Sequence, residues 1–491
     1  MTASTFVFGI ATILNQKRES CKSLCESEGH ASLGLLRSDM PCYKRTSVPM
    51  LALIKSVARP LASALAFIQA STSAIWTFPS VLGSAMLIAW AAEAAQFLIS
   101  QGLALAVLAW LQTLPEFAVE AVIAWEAGTA VRLGPGTPAA SHATALMTAN
   151  LTGSLRLLVG LGWPMIYATA ALFHRRRTGN RLRQVVLEDE HAVEVIFLLI
   201  SIAYFSIVWL RGTLGLLDTV ALTIIYLLYL FFLNKIPPQG EEKMEDLDRI
   251  PRYILTRGRR TRNALIVGLF LAGGVILYFT AHPFLESLKA IAVGLGISAF
   301  VFVQWVAPFL SEFPEKVSAF NWARRVTTAP LALMNMVSSN VNQWTLLAAM
   351  LPIAYALALG GAATIHFDEH QRVEILMTIG QSLLGALLLA NMSFSWWEAL
   401  LLFALWATQF VLSGFEKPLE LNPEVHNSLA LQLAGWMKMD VARVELIARD
   451  GKRLITGLYF VWTAIVIAAA VRRRSAFAAF SIFPRLMREH W

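Results

Sequence analysis

The feature that most limits how this chain can fold is a series of apolar stretches, each long enough to cross a bilayer. They fall at 75–99, 102–126, 142–172, 192–210, 213–233, 264–281, 290–322, 328–358, 373–391, 394–413 and 454–471. About 20 apolar residues in a helix span the hydrocarbon core. Lipid offers no hydrogen bonds, so every backbone N–H and C=O must be satisfied within the chain, and such runs fold as packed helices. Only 15% of residues are charged, against roughly 25% in soluble domains. The expectation is an all-α transmembrane, multi-pass protein of the cell (inner) membrane, with the lipid bilayer as a constant partner. The net charge of +8 does not indicate a nucleic-acid partner, because the basic residues cluster between apolar runs, as cytoplasmic loops do.

Composition divides the chain further. Residues 1–50 read as a polar N-terminal tail holding all three cysteines, Cys21, Cys25 and Cys42. No histidine or fourth cysteine completes a metal site there. Residues 51–74 read as an extra apolar helix, interrupted by Lys55, Arg59 and Pro60. A first five-span repeat covers 75–234, and a charged cytoplasmic linker covers 235–263. A second five-span repeat covers 264–413. Residues 414–491 hold a polar segment, a last span and a basic tail. About ten core helices in two five-helix repeats, with one or two peripheral helices, is the predicted architecture.

Orientation follows from the excess of Lys and Arg on the cytoplasmic side. The loops at 173–190 and 235–263 hold five and eight of these residues, and Arg324, Arg325 and Arg472 to Arg474 fall on the same side. The polar 415–452 segment is the exception, being fairly basic on the predicted outer side.

Two stretches in opposite halves then stand out: Leu111-Gln112-Thr113-Leu114-Pro115-Glu116 and Leu310-Ser311-Glu312-Phe313-Pro314-Glu315. With the orientation above, their spans run antiparallel, which makes the two repeats inverted. A glutamate at membrane depth must be desolvated, and a proline leaves a carbonyl one turn back without its donor. Broken helices meeting at the midplane of an inverted repeat are where secondary transporters build ion sites. Calcium takes six to eight hard oxygen ligands, and two carboxylates neutralise a divalent ion. Glu116 and Glu315 are therefore the candidate metal ligands. Asn150, Thr152 and Ser154 in the first half, and Ser338, Ser339, Asn340 and Asn342 in the second, could supply neutral oxygens. Glu93, Glu120 and Asn391 lie in or near spans, and Glu93 and Glu120 read as structural. Glu120 stands one turn beyond Glu116 on the same face.

These halves resemble the two alpha-repeats of the sodium/calcium exchanger (cation/calcium antiporter) superfamily, as a divergent prokaryotic-type member. The family's Gly-Thr-Ser-Leu-Pro-Glu motif is similar to residues 111–116 and 310–315. Its Gly-Asn-x-x-Gly-Ser-Asn motif is similar to Ala149-Asn150-Leu151-Thr152-Gly153-Ser154-Leu155 and, more loosely, to Val337-Ser338-Ser339-Asn340. The resemblance covers about residues 75–413. It implies a secondary antiporter, not an enzyme, that exchanges Ca2+ for Na+ or H+ by alternating access. Inorganic cations are its cargo and no cofactor is needed. The resemblance implies ion-binding roles for Glu116, Glu315, Thr113, Ser311, Glu312, Asn150, Ser154, Ser339 and Asn340, with Gln112, Arg156 and Asn342 as possible modulators.

Several positions depart from the family pattern. Leu155 stands where a ligand Asn is expected, Arg156 follows it, and Thr113 and Glu312 replace serines. An arginine facing the site would compete with bound cations, and Glu312 is the partner proposed for it from sequence. Two other classes stay open at this level. One is an intramembrane hydrolase using the acidic pair; the other is a transport-dead scaffold or sensor of the same fold.

Overall fold

The computed structural model describes residues 72–95, 97, 113–235, 247, 249–295, 298–416, 428–472 and 477–490. The expected tail at 1–50, most of the 51–74 segment, Gln112 and parts of the linker and of the 415–452 segment lie outside these residues. Among the described residues, nine helices are long and apolar enough to cross a membrane.

The chain runs through α1 (Thr72–Ala95), α2 (Leu114–Leu133), α3 (Pro138–Thr178), α4 (Asp189–Arg211) and α5 (Leu216–Lys235). After the linker come α6 (Arg259–Gly294), α7 (Ala299–Ser311), α8 (Phe313–Arg325), α9 (Ala329–Leu359), α10 (Glu369–Leu389) and α11 (Trp396–Ser413). Helices α12 (Val441–Arg472) and α13 (Ala478–His490) follow.

Proline sets where the key helices begin. Pro115 and Pro314 both sit in the first turn of a helix, α2 and α8. There the missing N–H costs nothing and the fixed φ favours helix entry. The span expected at 290–322 is thus broken. Its backbone leaves the helix at Glu312, with φ −91° and ψ 3°. The Leu310 carbonyl, expected to be released by Pro314, shares the Glu312 N–H with Pro308. The preceding span is longer than expected, because α6 carries Pro283 in its interior and continues to Gly294.

Helices α3 and α9 carry the polar motifs of their repeats, and each contains one π-helical turn. These turns cover Leu158–Gly162 and Gln343–Leu347. They begin four residues after Ser154 and Ser339, so the two motifs align through the backbone as well as through residue type. Both helices end on glycines with positive φ, Gly179 at 74° and Gly360 at 88°, where a side chain would be strained.

Two small antiparallel ladders show the inversion directly. Strand β1 (Gln184–Val186) lies between α3 and α4, β2 (Thr213–Leu214) between α4 and α5, β3 (Ile365–His366) between α9 and α10, and β4 (Ser393–Ser395) between α10 and α11. β1 pairs with β4, with Val185 opposite Phe394, and β2 pairs with β3, with Thr213 opposite His366. Helix α4 leads from the first ladder to the second, and α10 leads back. These equivalent helices are therefore antiparallel. The fold is all-α and transmembrane, with five-helix units related by inversion.

Packing follows the same exchange. α2 packs on α3 of its own repeat and on the second half of α9. α8 packs on α9 of its own repeat and on the second half of α3. The first half of α3 crosses α7 so closely that a Cβ on Gly153 would stand 1.8 Å from the Gln304 carbonyl oxygen. Small residues permit this approach between membrane helices.

Residues 441–452, in the polar segment before the expected span, form the first turns of α12, one helix continuous with that span. The reason is Lys452, which is buried against α10 and the end of α11 and ion-paired to Glu374 and Glu416. The amphipathic α13 rests on α4, tied to it by an Arg485–Asp189 ion pair, and its Ala479 N–H donates to the Ala390 carbonyl at the end of α10 at 2.9 Å.

The Gly153 crossing gives a direct test. Gly153→Ala should destabilise the protein by about 1–3 kcal/mol through overpacking. Gly274→Ala, where a Cβ meets nothing within 4 Å, should not. Thermal unfolding of both purified variants in detergent measures the difference.

Candidate ion-binding site

The broken helix ends bring four buried carboxylates into the middle of the bundle: Glu116 and Glu120 from α2, Glu312 from the break before α8, and Glu315 from its first turn. Glu116 and Glu312 are bridged. The Ser154 hydroxyl, from α3, lies in hydrogen-bonding contact with Oε1 of both. Gln343, at the first position of the α9 π turn, donates Nε2 to Glu116 Oε2 at 2.8 Å and to Glu312 Oε1 at 3.1 Å. A serine has one proton to donate, so the two carboxylates compete for it.

The remaining predicted residues divide into those drawn to this cluster and those turned away. Asn150 Nδ2 donates to Glu120 Oε2. Asn342 Nδ2 donates to Thr113 Oγ1 at 2.6 Å, joining the two repeats. Ser339 stands beside Glu315. Asn340 holds its amide nitrogen on the Met336 carbonyl, 3.1 Å away on its own helix. Ser311 turns back to the Ala307 carbonyl at 3.0 Å and does not join the cluster. Ser338 accepts a 2.8 Å hydrogen bond from Tyr229 and belongs to packing. Glu93 is buried and accepts from Ser318 on α8 at 2.7 Å.

What is left over in this region is oxygen. Among the described residues, both oxygens of Glu315, Oε1 of Glu120, Oδ1 of Asn150, Asn340 and Asn342, and Oε1 of Gln343 are buried with no donor in hydrogen-bonding geometry, although the Ser339 hydroxyl is near enough to Glu315 to swing onto it. Buried acceptors without donors are rare in folded proteins and need an explanation. A hard cation, bound by carboxylate and amide oxygens, is the ligand that this set fits.

Arg156 lies elsewhere than the sequence suggested. Glu312 is not its partner. The guanidinium donates to Glu374 Oε2 at 2.6 Å and to the Thr152 carbonyl at 3.0 Å, and lies over the Trp305 ring at 5.1 Å. Glu374, on α10, also accepts from Lys452 and from Gln304 at 2.9 Å. Lys452 reaches Glu416 at 2.7 Å, and His370 lies 3.3 Å from Glu416. Burial works to raise the Glu416 carboxyl, but the Lys452 ammonium prevails and holds it below the usual carboxylate range. This second network balances its own charges and fastens α12 to α3 and α10. Glu312 has a different partner, Lys316, whose Nζ lies 2.5 Å from Oε2.

Sequence reading missed Gln343, Lys316, Glu374 and Lys452. Lys316 was within reach, since it follows Glu312 at i+4, where helical ion pairs form. Gln343, Glu374 and Lys452 carry no such local signal.

Removing one member of a buried pair strands the other charge, at about 3–5 kcal/mol. Glu374→Gln leaves both Arg156 and Lys452 without it and should lower the unfolding temperature more than Arg156→Met or Lys452→Met. Thermal scans of the three variants rank them.

The sequence profile of the family described as sodium/calcium exchanger protein matches residues 63–235 and 265–415. No curated protein sequence matches. A crystal structure described as the H+/Ca2+ exchanger CAX is similar, with 28% identity and a TM-score of 0.69, covering 89% of this chain and 98% of its own. A structure of the sodium-calcium exchanger NCX_Mj aligns with 18% identity and a TM-score of 0.44, covering 69% of this chain and 96% of its own. With the profile matched on both sides of the linker, this chain belongs to the sodium/calcium exchanger protein family, a family of membrane transporters.

Proposed function

We propose that the protein is a secondary active antiporter that exchanges Ca2+ for Na+ or H+ by alternating access, in the cell (inner) membrane with its basic loops inside. The observation that carries this reading is the cluster of donor-less oxygens around Glu116 and Glu315 on two inverted helix starts. Ca2+ would be held by these two carboxylates, with Asn150, Ser154, Ser339, Asn340 and Asn342 as neutral oxygen donors. When Ca2+ leaves, carboxylates at membrane depth have to be neutralised before the helices rearrange, and sodium ions or protons do this. The likeness to an H+/Ca2+ exchanger supports protons as the counter-ion.

The transport-dead reading drew on Leu155 and Arg156 together. The pairing of Arg156 with Glu374 at 2.6 Å supports the antiporter over it. The inversion puts Glu116 and Glu315 on helices from opposite repeats, a placement suited to a site reached from either side of the membrane in turn.

In proteoliposomes, an imposed proton or sodium gradient should drive Ca2+ flux in the opposite direction. Glu116→Gln and Glu315→Gln should each reduce it at least a hundredfold. Absence of flux in the unmodified protein under every gradient would falsify the antiporter reading.

A further inference from the structure

Lys316 is an ammonium group at the ion site. It sits on α8, one residue past Glu315, and its side chain is only 6% exposed. Its Nζ lies 2.5 Å from Glu312 Oε2. The other oxygen of Glu312 faces Ser154 and Gln343, the two groups that also hold Glu116. The ammonium is thus one carboxylate away from the bridge between the two repeats.

The two repeats differ here in a specific way. Where the second has Glu312 and Lys316, the first has Thr113 and Phe117. An acid and a base have been added together, one helical turn apart, so their net charge is zero. A carboxylate alone at this depth would require a mobile cation to neutralise it. Opposite unit charges as close as the Lys316–Glu312 pair attract strongly inside a protein.

We propose that Lys316 is a tethered cation that permanently fills the cation place of Glu312, and so sets how many mobile ions the exchanger couples. Lys316 travels with α8 and is never released. Glu312 therefore adds hydrogen-bonding oxygen to the site without adding a transported charge. Removing the ammonium turns Glu312 into a carboxylate that must recruit one more Na+ or H+ in each cycle. This inference rests on the antiporter reading.

The test is the Ca2+ gradient that proteoliposomes reach at equilibrium, with the membrane voltage clamped at zero and a tenfold gradient of the driving cation. One additional coupled cation steepens the Ca2+ gradient by about a further factor of ten. Lys316→Met should show this steeper gradient. Lys316→Arg, which keeps the charge, should keep the unmodified ratio. Glu312→Gln combined with Lys316→Met should return the ratio to the unmodified value, whatever its turnover. An unchanged gradient in Lys316→Met overturns the proposal.

A second measurement needs neither transport nor the Lys316→Met single variant. Calorimetric titration of the purified protein with Ca2+ compares Glu312→Gln with the double variant. Glu312→Gln leaves the ammonium unbalanced beside the site and should weaken Ca2+ at least tenfold, with affinity recovered in the double variant. Equal affinities in the two overturn the proposal. If the unmodified protein binds Ca2+ but carries no flux, the antiporter reading fails while this comparison still decides what Lys316 does.

Discussion

Four carboxylates held away from water govern how this bundle is built. Each of Glu116, Glu120, Glu312 and Glu315 is buried, and a buried charge must be paired, hydrogen-bonded or bound to a cation. The fold meets part of that demand with groups from both repeats and leaves both Glu315 oxygens and Oε1 of Glu120 outside hydrogen-bonding geometry. Ser154 comes from α3, Gln343 from α9 and Lys316 from α8. Ser154 and Gln343 would not reach the carboxylates unless α2, α3, α8 and α9 crossed as they do, whereas Lys316 reaches Glu312 along its own helix. The close crossings depend in turn on residues with no side chain to interpose, Gly153 against Gln304 and Gly128 against Tyr355.

The two charge networks divide the work. The cluster at the helix breaks is rich in unpaired oxygen and suits an exchangeable cation. In the Arg156–Glu374–Lys452–Glu416 network each carboxylate oxygen instead lies on a basic group, with His370 on the remaining oxygen of Glu416. A buried ion pair contributes little net stability because desolvation offsets the attraction, but disrupting it is costly. Its consequence here is geometric. It fixes α12 to α10 and to α3, the helix that carries Asn150 and Ser154, so the last span is joined to α3 through a chain of side chains. The π turns that follow Ser154 and Ser339 have a related effect. Each offsets the helical register just past the polar motif, and in α9 the offset begins at Gln343, the residue that contacts both Glu116 and Glu312.

Asymmetry between the repeats is the other outcome. The backbones match: paired proline starts, paired π turns and exchanged strand ladders. The side chains do not. One repeat carries Leu155 and Arg156, and the other Glu312, Lys316 and Gln343. Inverted backbones with unequal side chains leave the polar groups around the two helix starts unequal between the repeats.

The sequence by itself determined the membrane class, the inverted halves and the importance of the two Pro-Glu stretches. These are local properties: hydropathy needs only a window of one helix, loop charge sets orientation, and proline acts on its own turn. It also singled out Glu116, Asn150, Ser154 and Asn342, residues of α2, α3 and α9 that make hydrogen bonds where those helices meet. Only the tertiary structure decided which charges meet. Arg156 could have faced Glu312 or turned away, and nothing in its own helix distinguishes the two. The choice was made by Glu374, 218 residues away in sequence, and by the Lys452 ammonium beside it. The polar start of the last span was unreadable for the same reason. A lysine in a membrane helix looks like a boundary until the carboxylates that neutralise it arrive from other helices.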